Sequence, residues 1–289
     1  EIRMALRVRT NLAALSSISL LNSNQKSLSK SLAKISSGLR INSAADDAAG
    51  LAVATRMHSD NVSLKQAMRN TNDGISLVQT AEGSLNELSN ILVRMRELTI
   101  QVSNETYSSS DRTNIATEMG QLKNEYQRIV TSASFNRKSL LNSTDTSFNI
   151  QVGIMSTSNH RIGINLSTSN ATATAVGLNT LFGSIASAAL WANHNLTVSN
   201  AALMTIDSAI TTISKFRSNF GALQNRLESA LSEASNYSQN LTAARSRILD
   251  VDYASESANM VRFQIMQQAS VAALAQAKSL PQSIISLLS

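Results

Sequence analysis

Residues 11–39 read NLAALSSISLLNSNQKSLSKSLAKISSGL, a proline-free run in which apolar side chains return at a strict interval. Ala14, Ile18, Leu21, Gln25, Leu28, Leu32, Ile35 and Leu39 step by four and then three. That step is the seam of a coiled coil, a narrow stripe and not the broad face of a globular-core helix. The other positions are mostly Ser, Asn, Gln and Lys, so the helix has little else to bury. Most helical stability in proteins comes from packing, and this helix therefore needs a partner. The comparable stripe lies near the other end: Met266, Ser270, Ala273, Ala277, Leu280, Ile284 and Leu287. The spacing predicts that the two ends of the chain pair.

Composition narrows what such a pair could serve. The 289 residues contain no cysteine, which excludes a disulfide framework, a thiolate metal site and a cysteine nucleophile. The single proline, Pro281, permits long unbroken helices through nearly the whole chain. Aromatic residues are only 4% of the total, which argues for thin packing of two to four helices over a large compact core. No apolar run reaches membrane-spanning length and no cleavable signal peptide is present, so any export is expected to use another route. A net charge of +6 invites a nucleic-acid reading. Lys and Arg are dispersed, however, without an aromatic platform or a recognised binding motif, so neither nucleic acid nor membrane is expected as a partner.

Along the chain, Gly38 is placed to end the first helix, and Asn42 and Ser43 suit a turn. Asp46 and Asp47 suit the first turn of the next helix, with Arg40 placed to pair with one of them. A second helix is predicted over 44–68, with a weak break or bend at 70–74 ahead of the strongest stripe. That stripe is Ala81, Leu85, Leu88, Leu92, Met95, Thr99 and Val102. Ser109-Ser110-Asp111 offers a cap for a helix over 112–134 whose apolar positions are Ile115, Met119, Leu122, Tyr126 and Ile129. Phe148, Ile150 and Val152 alternate with polar residues, as do Ile162, Ile164 and Leu166, which predicts a β-hairpin around the polar turn 156–160. Residues 165–180 are low in charge and read as surface loop. Helical pattern resumes near Leu190 and dominates 201–247 through Ile206, Ile210, Ile213, Phe220, Leu223, Leu227 and Leu231. A charged turn over 245–252, neutralised by its own ion pairs, precedes a last helix over 254–288, where Pro281 predicts a kink or a new first turn.

Chemistry is absent from the pattern. His58, His160 and His194 lie in separate segments without metal-ligand spacing, and no phosphate-cradling glycine loop or nucleophile elbow occurs. Asp250 and Asp252 sit beside Arg245 and Arg247, which favours ion pairing over a metal site. The sequons at Asn165, Asn170 and Asn195 are what a chain this rich in Ser, Thr and Asn contains by chance. No catalytic residue, cofactor or metal is expected, and the protein is read as a non-enzyme.

Long segments carry a family resemblance. TNLAALSSISLLNSNQKSLSKSLAKISSGLRINSAADDAAGLAVATRM, LVQTAEGSLNELSNILVRMRELTIQVSN and DRTNIATEMGQLKNEYQRI resemble bacterial flagellin. So does GALQNRLESALSEASNYSQNLTAARSRILDVDYASESANMVRFQIMQQASVAALAQAKSLPQSIISLL near the other end. The similarity covers about 10–142 and 201–289. It implies a mainly α, elongated antiparallel helical bundle or coiled coil of paired N- and C-terminal helices, with a small β-hairpin region. The implied division is an inner terminal-helix domain, 1–43 with 254–289, and a helical domain, 44–142 with 190–253. Residues 143–189 form the hairpin and variable loop of the latter.

The resemblance implies a structural subunit that polymerises helically with copies of itself into the extracellular filament of the bacterial flagellum, its inner helices lining a narrow axial channel. The polymerisation seam is expected at Ile18, Leu21, Leu28, Leu32, Ile35, Leu39, Met266, Ala273, Ala277, Leu280, Ile284 and Leu287. Implied partners are the flagellar type III export apparatus, an export chaperone on the C-terminal helix, the filament cap and the hook-associated proteins. Toll-like receptor 5 is a further implied partner, through Arg94, Leu98 and Glu118. Arg94 and Leu98 share a helix face read as lying off the Leu88–Leu92–Met95 stripe, exposed in the monomer and buried between subunits. Alternatives are a hook–filament junction protein, which shares the terminal helices, and a secreted coiled-coil adhesin.

Three departures from the family pattern stand out. Glu1, Ile2 and Arg3 precede the usual beginning at Met4-Ala5. Arg137 occupies a position commonly held by glycine, where a side chain disfavours positive φ. The central region is short, which implies a minimal flagellin lacking large outer domains.

Overall fold

The computed structural model describes residues 10–142, 147–166, 170–186 and 196–288, with side chains for all of these except Ser184, Ala186, Leu196 and 280–288. Glu1–Arg3, His194 and the Asn195 sequon lie outside the described residues. Helices dominate, as expected: α1 (Leu12–Ser37), α2 (Ala48–Val102), α3 (Ser109–Ser132), α4 (Asn179–Ala186), α5 (Leu196–Leu249) and α6 (Tyr253–Leu288). Two antiparallel strand pairs interrupt them, β1 (Ser134–Phe135) with β2 (Lys138–Ser139) and β3 (Ser147–Gln151) with β4 (Arg161–Asn165). The chain forms two compact units, residues 1–61 with 239–289, and residues 62–238.

In the first unit α1 and α6 run antiparallel. Asn11 lies at Ala277, Asn24 at Ser270, Ser31 at Glu256 and Ile35 at Tyr253. Asn11 caps α1 by accepting from the Ala14 amide at 3.0 Å. Gly38 ends the helix in the left-handed region at φ 72°, its N–H reaching Lys34 O. The two strands of chain then meet at a Leu39–Asp250 bridge beside a small core of Ile41, Ala54 and Leu249. Arg40 does not pair with an aspartate here. Its guanidinium donates to the Ile248 carbonyl, one of the last carbonyls of α5, and Lys30 takes Asp46 at 2.7 Å. Asp46 and Asp47 precede α2 instead of lying in its first turn, and Asp47 accepts from the Gly50 amide. The 245–252 turn is likewise held without the expected ion pairs. Asp250 accepts from Ser246, and Asp252 caps α6 through the amides of Ala254 and Ser255. At the far end, α6 is helical through Pro281.

The second unit carries the larger core. Ala81, Leu85, Leu88, Leu92, Met95, Thr99 and Val102 are buried as the stripe predicts, with Ile115, Met119 and Tyr126 of α3 and Ile206, Ile213, Phe220 and Leu227 of α5. The expected break at 70–74 does not occur, because α2 is one helix of 55 residues. Gly74 costs such a helix about 1 kcal/mol relative to Ala. It is there because the hairpin comes close: a Cβ would stand 3.1 Å from Ile150 Cγ1. The β3–β4 hairpin has the expected pairs, Phe148 with Ile164 and Ile150 with Ile162. Helix α3 begins earlier than expected, capped by Ser108 and Asp111 in a reciprocal box.

Of residues 165–180, the described ones are only in part the expected surface loop. Leu166, Ala171, Val176 and Leu178 are buried, and α4, absent from the sequence reading, adds Leu181, Phe182 and Ile185 to the same core. The Tyr126 hydroxyl donates to the Ala171 carbonyl at 2.8 Å, and Phe182 meets the Tyr126 ring edge-on at 5.7 Å. Burial pushes the Tyr126 hydroxyl well above the ordinary tyrosine range, so it stays a donor at any physiological pH. Finally, Asn136 and Arg137 turn the β1–β2 hairpin with φ 48° and 65°. Two consecutive positive φ values are what a two-residue hairpin turn requires, and Arg137 adopts one despite its side chain.

Candidate assembly surfaces

The α1 seam differs from the apolar stripe by every second rung. Leu21, Leu28 and Ile35 are half-buried as expected, and Ala14 with them. The alternate rungs turned inward are Ser17, Asn24 and Ser31, where the stripe has Ile18, Gln25 and Leu32. Leu39, past the end of the helix, packs partly buried against the small core of Ile41, Ala54 and Leu249. Asn24 and Ser31 are buried, whereas Ile18 and Leu32 are 41% and 47% exposed. Residues 24 and 25, or 31 and 32, project about 100° apart on a helix. They flank the Leu21–Leu28–Ile35 line on opposite sides, and the polar flank of α1 faces α6.

Helix α6 is displaced from its stripe as well. Its inward residues are Glu256, Met260, Phe263, Gln267, Ser270, Leu274 and Ala277. Ser270 and Ala277 belong to the predicted stripe, while Met266 and Ala273 of that stripe are exposed. Met260, Phe263 and Leu274, which the stripe leaves out, supply the apolar part of this inward face. The side chains of Leu280, Ile284 and Leu287 lie outside the described residues. Beyond the stripe, Leu12, Leu15 and Leu20 of α1 and Val261, Ile265 and Val271 of α6 are also exposed, at 74, 62, 61, 47, 59 and 52%. Sequence reasoning passed over these residues because it followed one stripe per helix; the signal was a second set of apolar residues on another face.

The second surface lies on α2 and α3. Arg94 Nε and one terminal nitrogen donate to Glu118 Oε1 at 2.9 and 2.8 Å, and the other meets Glu97 at 3.0 Å. All three side chains are about half exposed. Leu98 corrects the expectation. It is 1% exposed and belongs to the core, because it follows Met95 by three residues and its side chain falls on the same face. The outward apolar neighbours on α2 are Val93 and Ile100, missed for the same reason as those on α1.

Two shallow hollows of about 300 Å³ are lined by Tyr126, Val130, Asn142 and Thr172, and by Thr117, Gln121, Lys123 and Asn124, with no carboxylate, imidazole or thiol in either lining. Among the described residues no group of His, Cys, Asp or Glu has the geometry to hold a metal ion. No described helix is long and apolar enough to cross a membrane.

The paired ends thus leave apolar residues of α1 and α6 outward in the isolated chain. Residues 8–146 match the family model of the bacterial flagellin N-terminal helical region, and 203–288 that of the bacterial flagellin C-terminal helical region. Flagellin of Halalkalibacterium halodurans is 41% identical over 281 residues, covering 97% of this chain and 99% of that one. Flagellin of Bacillus subtilis is 39% identical, covering 98% and 100%. The flagellar filament 30.7 kDa core protein of Treponema maltophilum is 37% identical, covering 98% and 99%. The chain belongs to the bacterial flagellin family, and its role is that of a structural subunit of the flagellar filament.

Proposed function

We propose that copies of this chain polymerise through the outward flanks of α1 and α6, which makes these flanks the working surface of an extracellular, non-enzymatic filament protein. The observation that carries the reading is the inversion of α1: apolar Leu12, Leu15, Ile18, Leu20 and Leu32 face out while Asn24 and Ser31 face in. Exposed apolar residues in this number on one helix mark an interaction surface. The seam residues Leu21, Leu28, Ile35 and Leu39, with Ala277, hold the pair together, and Ile18, Leu32, Met266 and Ala273 contact neighbours. The inner domain of 1–43 and 254–289 and the helical domain of 44–142 and 190–253 divide the labour accordingly. Seeded growth watched by electron microscopy tests the proposal. Leu32→Asp places an unpaired carboxylate in a subunit interface and abolishes extension, while the volume-conserving Leu32→Met extends seeds as wild type does. Equal extension by both would overturn it.

The same exposed flank explains a requirement for escort. Val261, Ile265, Met266 and Val271 need cover before assembly, the role of an export chaperone on the C-terminal helix as the chain passes the flagellar type III exporter toward the cap and hook-associated proteins. A second reading rests on the Arg94–Glu118 pair. Both groups are accessible in the free chain and sit above buried Leu98, a site for Toll-like receptor 5 in which Leu98 holds the helix and does not touch the receptor. Arg94→Ala monomer should lose activation of receptor-bearing cells while melting as wild type, since exposed ion pairs add little stability. A wild-type monomer that fails to activate those cells would end this reading.

A further inference from the structure

The α1–α6 contact carries a ladder of side-chain hydrogen bonds. Asn24 Nδ2 donates to Ser270 Oγ at 3.1 Å, Gln267 Nε2 to Gln25 Oε1 at 2.6 Å, and Ser31 Oγ to Glu256 Oε1 at 2.5 Å. Asn24 and Ser31 are 9% and 2% exposed, so neither can turn to water if its partner moves away. A competing arrangement exists in the same sequence. Rotating α1 by about 50° would keep Leu21, Leu28 and Ile35 near the contact and bring in Ile18 and Leu32. They would turn toward an α6 face that already holds Met260, Phe263 and Leu274. Apolar burial alone favours that rotation, yet the polar flank of α1 is the one turned inward. What opposes the rotation is that Ser270 and Glu256 would stay at the contact with their partners turned away, and what opposes a slip by one heptad is that buried Asn24 and Ser31 would no longer meet them. A buried group left unpaired costs more than a made hydrogen bond gains, and buried polar pairs are a well-attested means of fixing helix register.

We infer that the Asn24–Ser270 and Ser31–Glu256 bonds are a register and rotation key: they set α1 against α6 so that the outer apolar flanks of both helices stay free for a second copy of the chain. The key rests on the polymerisation reading for its purpose, but not for its existence, and the two can be tested apart. The chain lacks cysteine, so introduced thiols report alone. In the free chain, a Gln25→Cys/Gln267→Cys pair treated with a short thiol crosslinker reports the native register. Gln25→Cys/Met260→Cys and Gln25→Cys/Leu274→Cys report slips of one heptad in either direction.

With the Asn24–Ser270 and Ser31–Glu256 bonds intact the native pair should link about tenfold more than either shifted pair, the ratio given by roughly 1.4 kcal/mol of discrimination. In the Asn24→Leu/Ser31→Leu background that preference should fall to within about twofold while helical circular dichroism is kept, and extension from wild-type seeds should slow by about tenfold. Asn24→Ser/Ser31→Thr, which retains hydrogen-bonding groups, should restore both. A wild-type chain with no register preference overturns the inference. So does a double-Leu variant that keeps the native preference, or one that loses its helicity with no crosslink at any of the three pairs, since the ladder would then be supporting the fold instead of choosing among registers. Failure of wild-type protein to extend seeds, with the crosslinking result as expected, would overturn the polymerisation reading and leave the key standing.

Discussion

Leu15→Ala separates the energy of folding from the energy of assembly. Leu15 is 62% exposed in the free chain. Complete burial of a leucine side chain is worth about 1.5–3 kcal/mol, so covering the exposed part of Leu15 in a filament should contribute roughly 1–2 kcal/mol. Truncation removes most of that contribution and costs the free chain little, because substitutions on exposed surface usually change stability by less than about 0.5 kcal/mol. At 1.4 kcal/mol per tenfold, the critical concentration for seeded growth should rise by a factor of about 5–30. The assay is sedimentation of filaments grown from wild-type seeds over a dilution series, with thermal melts of the unpolymerised variant alongside. An unchanged critical concentration would refute the assignment of this face to the interface. A melt lowered by several degrees would refute it differently, by showing that Leu15 packs within its own chain.

Three further outcomes follow from single groups. Tyr126→Phe leaves the buried Ala171 carbonyl without its donor and should destabilise the 62–238 unit by about 1–3 kcal/mol in urea unfolding. Arg137→Gly relieves a side chain held at φ 65° and should raise stability by about 1 kcal/mol; a fall in the urea midpoint would contradict the turn geometry. Asp46 is held down at about 2 by its hydrogen bond from Lys30, then by the backbone N–H groups of Asn42 and Ser43. Since its folded value lies below the unfolded one, its stabilisation is complete above about pH 4 and is lost as pH falls through about 2. Thermal melts across that window should flatten in Asp46→Asn, and an unchanged acid dependence would remove Asp46 from the account.

The middle of the chain was legible where one helix face does one thing. Leu85, Leu88, Leu92 and Met95 are apolar, evenly spaced and wholly buried, so periodicity alone located the core. It failed where local composition and burial disagree. Residues 170–178 alternate small residues and threonines without a helical period, yet Ala171, Val176 and Leu178 are buried, and the Ala171 carbonyl accepts from Tyr126, 45 residues away, a contact that no local window contains. Gly74 looked like a break because the hairpin that explains it arrives some 75 residues later. Leu98 was placed by counting from Arg94, when counting from Met95 assigns it to the core. At the ends of the chain spacing does not give the direction of the stripe, because it records which residues are apolar and not which of two flanks a partner helix will meet.

That difference between middle and ends has a mechanical consequence. The 62–238 unit buries most of its large apolar residues, with Val93, Ile100 and Met204 among those outside, and Arg96 finds Asp207 and Arg94 finds Glu118 without leaving the chain. In the terminal unit the contact between helices is mixed. Met260, Phe263 and Leu274 are only half-buried there, Asn24 and Ser31 take the most enclosed positions on α1, and much of the apolar surface of both helices stays outside. Hydrogen bonds between helices contribute about 1 kcal/mol each once exchange with water is counted. Ordering 26 residues of α1 opposes them with a cost of the order of 1–2 kcal/mol for each residue fixed. On the proposed polymerisation, other copies covering Leu12, Leu15, Ile18 and Leu20 would secure the pair, which would link folding of the ends to assembly by mass action. A chain of this design can be kept loose while it is moved and set firmly where it is added.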